Sequence, residues 1–156
     1  MKKYKYHYDS PVGRLFLAEV DGAITDLVFN PIENAEEKQT PVLALACDML
    51  REYFAGERRE FNIPIKFIVG TEFQQKAWNA LLDVPYGQTR SYQDQATAIG
   101  APKACRAVGG ANGKNPISIF VPCHRVIGAN KSLTGYGGGL DIKKFLLELE
   151  ARHIHK

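Results

Sequence analysis

Ser91-Tyr-Gln-Asp94, followed by Gly100-Ala-Pro-Lys-Ala-Cys-Arg106 and running on to Gly109-Gly110, is the stretch on which the fold turns. Ser91 three residues before Asp94 has the form of a capping box, in which each side chain satisfies a backbone N–H left open at a helix start. The predicted helix is short, and Gly100 ends it. Pro102 suits the first turn of a second helix, which carries Lys103 and Arg106 and closes at Gly109-Gly110. Two short helices joined by a tight glycine-containing turn form a helix-turn-helix signature. Just before them, Thr71-Glu-Phe-Gln74 is another capping box. It opens a helix in which Phe73, Ala77, Trp78, Leu81 and Leu82 make one apolar stripe, and Pro85-Tyr-Gly87 breaks it. Trp78 reads as a core residue on that stripe.

After the helix pair the chain changes character. Ile117 to Val121 is a five-residue apolar run that reads as a short buried segment, and a helix cannot easily pass Pro122. The run delivers Val121-Pro122-Cys123-His124-Arg125-Val126 to the end of a rigid element. A cysteine beside a histidine has the look of a nucleophile and its proton acceptor, although a bare Pro-Cys-His also suits a small buried thiol. Arg125 reads as a structural residue that ties helices together. Asn130-Lys131 suits the turn of a small wing between Val126-Ile127 and Leu133-Thr134. Asp141 is placed to cap a last helix whose Ile142, Phe145, Leu146 and Leu149 face inward.

Upstream, the first thirty residues read as β-structure around Asp21-Gly22, a strong hairpin turn signal, with Leu15 and Leu17 inward. Pro31 to Thr40 is a polar loop. Pro41 then opens a helix with Val42, Leu45, Met49 and Tyr53 or Phe54 at helical spacing, stopped by Gly56. Cys47 is packing material within it. A boundary falls near Val69-Gly70.

The totals set the outer limits. At 156 residues the chain holds one substantial core or two small ones, with 45% hydrophobic and 24% charged residues. No apolar run approaches membrane-spanning length, and the start, Met1-Lys-Lys-Tyr-Lys-Tyr-His, lacks the apolar stretch of a secretory signal, so a cytoplasmic protein with no membrane partner is expected. Cys47, Cys105 and Cys123 are three and widely spaced, which argues against a disulfide framework. The four histidines form no ligand pattern, so neither metal nor cofactor is expected. Net charge is +3 but uneven: residues 1–70 carry nine basic and eleven acidic groups, residues 71–156 eleven and six. Between Val84 and Lys131 six basic residues (Arg90, Lys103, Arg106, Lys114, Arg125, Lys131) face Asp94 alone. Such a face suits phosphate contacts as well as it suits plain solvation.

Taken in order, Ser91-Tyr-Gln-Asp94, Arg106-Ala-Val-Gly-Gly-Ala-Asn112, Asn115-Pro116, the Pro122-Cys123-His124-Arg125 motif and Thr134-Gly-Tyr-Gly-Gly-Gly-Leu140 resemble the methylated-DNA–protein-cysteine methyltransferases, which repair 6-O-alkylguanine. The resemblance is detailed over the C-terminal half and general over the N-terminal half. It implies an α+β protein, with a small ribonuclease H-like α/β domain over residues 1–70 packed on a winged-helix DNA-binding and alkyl-acceptor domain over residues 71–156. It further implies a monomer acting on double-stranded DNA that carries alkylated guanine, and 4-O-methylthymine as a second substrate. Cys123 would be the alkyl acceptor, His124 the general base acting through a water, and Glu150 the residue that orients His124. Tyr92 would help turn out the nucleotide and donate to the flipped guanine, Arg106 would fill the vacated place in the stack, and Ser91 and Lys103 would contact DNA. Tyr136, Gly137, Gly138, Val126, Asn115 and Pro122 would form the substrate pocket, with Gly137 standing where many relatives have serine or alanine. By the same resemblance, Asn115 would be the hinge asparagine that ties the turn before the nucleophile.

The chemistry fits the residues. Removing a methyl group from an aryl ether-like oxygen needs a soft, strong nucleophile, and thiolate is one, whereas an unperturbed thiol with a pKa near 8.5 is only slightly ionised at neutral pH. Two other readings stay open at this point: a winged-helix lesion recogniser without chemistry, and a Cys-His-Glu hydrolase. The first sits poorly with the presence of Cys123, the second with the helix-turn-helix and its basic face.

Overall fold

A computed structural model describes residues 2–130, 136 and 138–154. The chain contacts itself as two compact units, Met1–Ile68 and Val69–Lys156.

In the first unit β1 (Lys3–Ser10), β2 (Gly13–Val20), β3 (Ala23–Val28) and β4 (Glu36–Glu37) form a sheet in the order β3-β2-β1-β4. The β2–β3 turn is at Asp21-Gly22, and both residues have positive φ (51° and 80°), the geometry that a tight hairpin with the right-handed strand twist requires. The stretch after Pro31 is not all loop, because β4 pairs in parallel with Tyr4 and Lys5 of β1. Helix α1 (Pro41–Phe54) starts on a Thr40 cap, and Gly56 follows it with φ 78°. Its inward face is Leu43, Ala46, Met49, Leu50 and Tyr53. Met49 and Tyr53 are buried as expected, but in the first turns Leu43 and Ala46 take the inward places expected of Val42 and Leu45, and Leu45 is exposed. The Cys47 thiol is half-buried and points at the His7 carbonyl.

The second unit holds α2 (Glu72–Leu81), β5 (Arg90–Ser91), α3 (Tyr92–Ala98), α4 (Cys105–Gly113), a 3-10 turn (Cys123–Arg125), β6 (Val126–Ile127) and α5 (Leu140–His153). Both capping boxes form, Thr71 with Gln74 and Ser91 with Asp94. Trp78 is core, and its Nε1 donates to the Ala111 carbonyl at 2.7 Å. Between α3 and α4 lies a buried pair of side-chain amides. Gln95 Nε2 donates to Asn112 Oδ1 (2.9 Å) and to the Ala77 carbonyl (3.0 Å), and Asn112 Nδ2 returns a bond to Gln95 Oε1 (2.7 Å). The two helices are thereby fixed in register as well as packed.

Two expectations are corrected here. Helix α4 begins at Cys105, leaving Pro102 and Lys103 in the turn, and it runs through Gly109-Gly110 to Gly113. A Cβ at Gly109 would touch the Tyr92 ring only at ordinary contact distance, and one at Gly110 would meet nothing, so neither glycine is demanded by crowding. Helix α5 starts after Gly139, so Asp141 lies in its first turn instead of capping it, and its buried residues are Lys143, Leu146, Leu149 and Glu150. Ile142 and Phe145 are only half-buried. Strand β6 is the expected Val126-Ile127, and it pairs in parallel with β5. The expected wing, from Lys131 on, lies outside the described residues.

Candidate active site

The apolar run before Pro122 turns on itself instead of extending. Phe120 N–H donates to Ser118 O, Val121 N–H to Ile117 O, and Cys123 N–H to Val121 O. The turn forces Ile119, fully buried, to φ 71°, a left-handed conformation that a β-branched residue avoids. Such strain persists only where the surroundings over-determine it. Asn115 does that: its Oδ1 accepts from Ile117 N–H (3.0 Å), and its Nδ2 donates to Val121 O (2.8 Å) and to Cys123 Sγ (3.2 Å). One side chain thus closes the turn and touches the sulfur at its end.

Cys123 and His124 are 4% and 0% exposed. His124 Nε2 lies 2.6 Å from Glu150 Oε2, a contact joining the 3-10 turn to α5. Against an ionised Glu150 this nitrogen must be the donor, which leaves the lone pair on Nδ1. That atom is buried and has no hydrogen-bond partner among the described residues. Glu150 is held from three more directions: Arg125 Nε donates to Oε1 (2.8 Å), Arg125 Nη2 to Oε2 (3.1 Å), and Gly87 N–H to Oε1 (3.1 Å). Arg125 is itself buried, anchored on the Val84 carbonyl at 2.8 Å and lying 5.6 Å from the Tyr86 ring centroid. Gly87 has φ 76°, and a Cβ there would come within 2.5 Å of the Ile154 side chain, so both conformation and space demand glycine.

The charges follow from these contacts. Burial alone would push the Glu150 carboxyl up, but His124 and Arg125 outweigh it and hold the group well below the usual carboxylate range. Burial pushes the His124 ring down from its ordinary value; Glu150 opposes this, while Arg125 and Lys143 reinforce it. Burial pushes the Cys123 thiol up to about 11, against the pull of the Asn115 hydrogen bond and the Lys143 charge. At rest the site is thus a protonated thiol beside a neutral imidazole. A thiol so placed needs a built-in route for its proton before it can attack.

Around this cluster stand Val126, Pro122 and Tyr136, all buried. The Tyr136 hydroxyl is pushed well above its usual range by burial and then by Cys123, against the pull of Ser118. Gly138 is half-buried; Gly137 lies outside the described residues. Ser91 and Tyr92 are half-buried at the start of α3. Lys103 and Arg106 are exposed on the helix pair, outside the thiol cluster, as is Lys114. Arg125, counted with the basic face in the sequence, belongs to the interior. The residue missed from sequence is Lys143: it is 0% exposed, its Nζ donates to the Val126 carbonyl at 2.6 Å, and it lies 5.9 Å from the Tyr92 ring centroid. A lysine on a charged, amphipathic C-terminal helix gives no hint that it points inward. Among the described residues no group of three or more His, Cys, Asp or Glu could hold a metal ion.

A helix-turn-helix unit with a buried thiol, imidazole and carboxylate behind it defines a DNA-binding protein equipped for nucleophilic chemistry. Comparison with known proteins narrows that class. Residues 72–152 match the 6-O-methylguanine DNA methyltransferase DNA-binding domain, and residues 3–67 match the ribonuclease-like domain of the same family. The constitutive methylated-DNA–protein-cysteine methyltransferase of Bacillus subtilis is 51% identical over 152 residues, covering 91% of this chain and 92% of that protein. A Methanosarcina acetivorans methylated-DNA–protein-cysteine methyltransferase is 46% identical over 149 residues, covering 92% and 95%. The crystal structure of Mycobacterium tuberculosis OGT in complex with DNA superposes with a TM-score of 0.90 at 49% identity, covering 96% of this chain and 94% of that one. The chain belongs to the 6-O-methylguanine DNA methyltransferase family, with its N-terminal ribonuclease-like and C-terminal DNA-binding domains.

Proposed function

We propose that this protein repairs DNA by transferring the alkyl group of 6-O-methylguanine, and of 4-O-methylthymine, from duplex DNA to its own Cys123. The observation that carries this reading is a buried cluster in the unit that bears the helix-turn-helix, with Asn115 bonded to the Cys123 sulfur and the neighbouring His124 and Arg125 bonded to Glu150. The domain from residue 71 onward acts as DNA-binding and alkyl-acceptor domain, and the ribonuclease H-like domain precedes it. Exposed Lys103 and Arg106, with Ser91, meet the DNA, and Arg106 fills the stack when the damaged base turns out. Tyr92 assists that extrusion and donates to the flipped guanine, which enters beside Val126, Pro122, Asn115, Tyr136, Gly137 and Gly138.

In the reaction the thiol proton passes through a water to His124 Nδ1, the imidazole acceptor that Glu150 orients. The thiolate attacks the methyl carbon, the S–C bond forms as the C–O bond breaks, and guanine leaves with a proton returned to it. The product is a thioether, a poor leaving group, so each molecule acts once. The protein works as a cytoplasmic monomer, and no helix among the described residues is long and apolar enough to cross a membrane. The test is to incubate the protein with an oligonucleotide duplex containing 6-O-methylguanine and weigh it intact and as peptides. One methyl group gained on Cys123, with moles repaired never exceeding moles of protein, is the expected result. Binding without mass change, or sustained turnover, would overturn the proposal.

A further inference from the structure

Lysine is almost never wholly withdrawn from water unless its charge has a use, because burying an ammonium is costly. Lys143 is so withdrawn, and two of its contacts bracket the reacting site. Its Nζ is bonded to the carbonyl of Val126, three residues past Cys123, and lies against the ring of Tyr92 at the start of α3. We infer that Lys143 supplies the positive charge that pairs with the Cys123 thiolate, so that the attacking state is a buried thiolate–ammonium pair and His124 conducts the thiol proton without keeping it. This rests on the proposed alkyl transfer and adds where the compensating charge resides.

The electrostatics favour this placement. Cys123 and Lys143 act on each other: the ammonium draws the thiol toward ionisation, and the sulfur favours the charged lysine, while burial opposes both. Two opposite charges buried together are tolerated where either alone is not. The rival site for the charge is the His124 imidazole. It is buried, the charges of Arg125 and Lys143 both act against its protonation, and the Glu150 carboxylate that could steady it is shared with two Arg125 hydrogen bonds. The remaining titratable groups facing the pair are the Tyr92 and Tyr136 phenols, and Tyr136 is held firmly neutral. The balance is simple. The S–H bond breaks, the sulfur's electron pair forms the S–CH3 bond, and the electrons of the broken C–O bond go to guanine. The thiol's proton ends on guanine, and Lys143 keeps its three protons throughout.

The experiment compares wild type with Lys143→Met, which keeps length without charge, and Lys143→Arg, which keeps charge. Carbamidomethylation of Cys123 by iodoacetamide is followed across pH by peptide mass, with melting and affinity for unmodified duplex as controls. Lys143→Met is expected to move the Cys123 profile to higher pH by about one pH unit or more, so that its rate falls about tenfold at neutral pH. Methyl transfer from DNA should fall in parallel, DNA affinity should stay within about twofold, and Lys143→Arg should recover part of the loss. A folded Lys143→Met protein with an unmoved profile, or with one lowered equally at every pH, would overturn the inference. Should that variant fail to fold, nitrogen NMR of His124 in the wild type decides: the ring must stay neutral as the thiol ionises, and an imidazolium there sinks the proposal. The iodoacetamide profile needs no alkylated DNA. A shifted profile in a protein that takes no methyl group from DNA would therefore count against the proposed function and not against the pair.

Discussion

Burial holds the Cys123 sulfur as a thiol, up to about 11, and every side chain that touches it acts on that barrier. Asn115 and Lys143 pull the value down, while in the proposed reaction His124 and Glu150 offer the proton a way out. Cys123→Ser should therefore keep DNA binding yet lose transfer altogether, since an alcohol is far less acidic than a thiol; gel shift and intact mass measure the two. Glu150→Gln keeps the shape of the carboxylate but removes the charge that fixes the His124 tautomer. The thiolate becomes harder to reach at neutral pH, so transfer should slow by about tenfold or more, and the deficit should shrink as pH rises toward that of an unassisted thiol. Single-turnover rates against pH decide it, and a normal rate at neutral pH would reduce Glu150 to a structural residue. The structure adds a cost invisible in the sequence: Arg125 would lose its buried counter-charge, a loss of about 3–5 kcal/mol for such pairs. A fold check must accompany every rate.

At the scale of the elements, α3 and α4 present Tyr92 and Arg106 from a base that the Gln95–Asn112 amides lock. Arg106→Ala is expected to slow repair of duplex DNA by about tenfold or more while leaving reaction with a free modified base nearly intact, because only the duplex requires unstacking. Equal losses on both substrates would show that Arg106 serves the fold. The amide pair gives a separate stability prediction. Gln95→Leu or Asn112→Leu alone strands a buried amide and should cost about 1–3 kcal/mol, whereas the double replacement removes both partners and should fall closer to wild type than either single. Urea midpoints of the four proteins close that cycle. These elements also show what the sequence made legible. Both capping boxes, the Asp21-Gly22 hairpin, Trp78 in the core and the adjacent Cys123–His124 pair could be read, because cap and turn chemistry is local and the motif is contiguous. Glu150, 26 residues from His124, is reached only through the family resemblance. Misjudged were places where a distant contact overrules the local pattern. Gly109-Gly110 lie inside α4, which packs against α2 and α3, so tertiary packing overrides the weak stop signal of two glycines. On α5, hydropathy sends Lys143 outward and gives no reason of its own to bury Glu150, but both are buried, and Ile142 and Phe145 are only half-buried. Local rules fail where function needs a charge inside.

For the whole molecule, the perturbed groups set a window of pH in which it holds together best. The Cys123 value is raised in the folded state, so its contribution is fully present below the ordinary thiol value near 8.5 and is lost as pH climbs through about 11, where the unfolded chain ionises first. His124 is depressed in the folded state. Its contribution is present above the ordinary imidazole value near 6.5 and fades as pH falls below it, because the unfolded chain takes the proton more readily. Glu150 is depressed too, so its contribution is present above the ordinary carboxylate value near 4.3 and is lost as pH falls further, toward its folded value. The C-terminal unit should therefore be most stable between about pH 6.5 and 8.5. Its decline on the alkaline side isolates a single atom. Replacing Cys123 with alanine leaves a small cavity whose cost does not depend on pH, but it removes the titrating sulfur. Denaturant melts at pH 7.5 and 10.5 should show wild type losing up to about 2–3 kcal/mol more than Cys123→Ala across that interval, because a tenfold difference in acidity between folded and unfolded chain corresponds to about 1.4 kcal/mol. Equal losses in the two proteins would mean that the sulfur titrates in the folded state as it does in the unfolded chain. The need for a proton route through His124, and for a counter-charge on Lys143, would then disappear with the barrier they were built to lower.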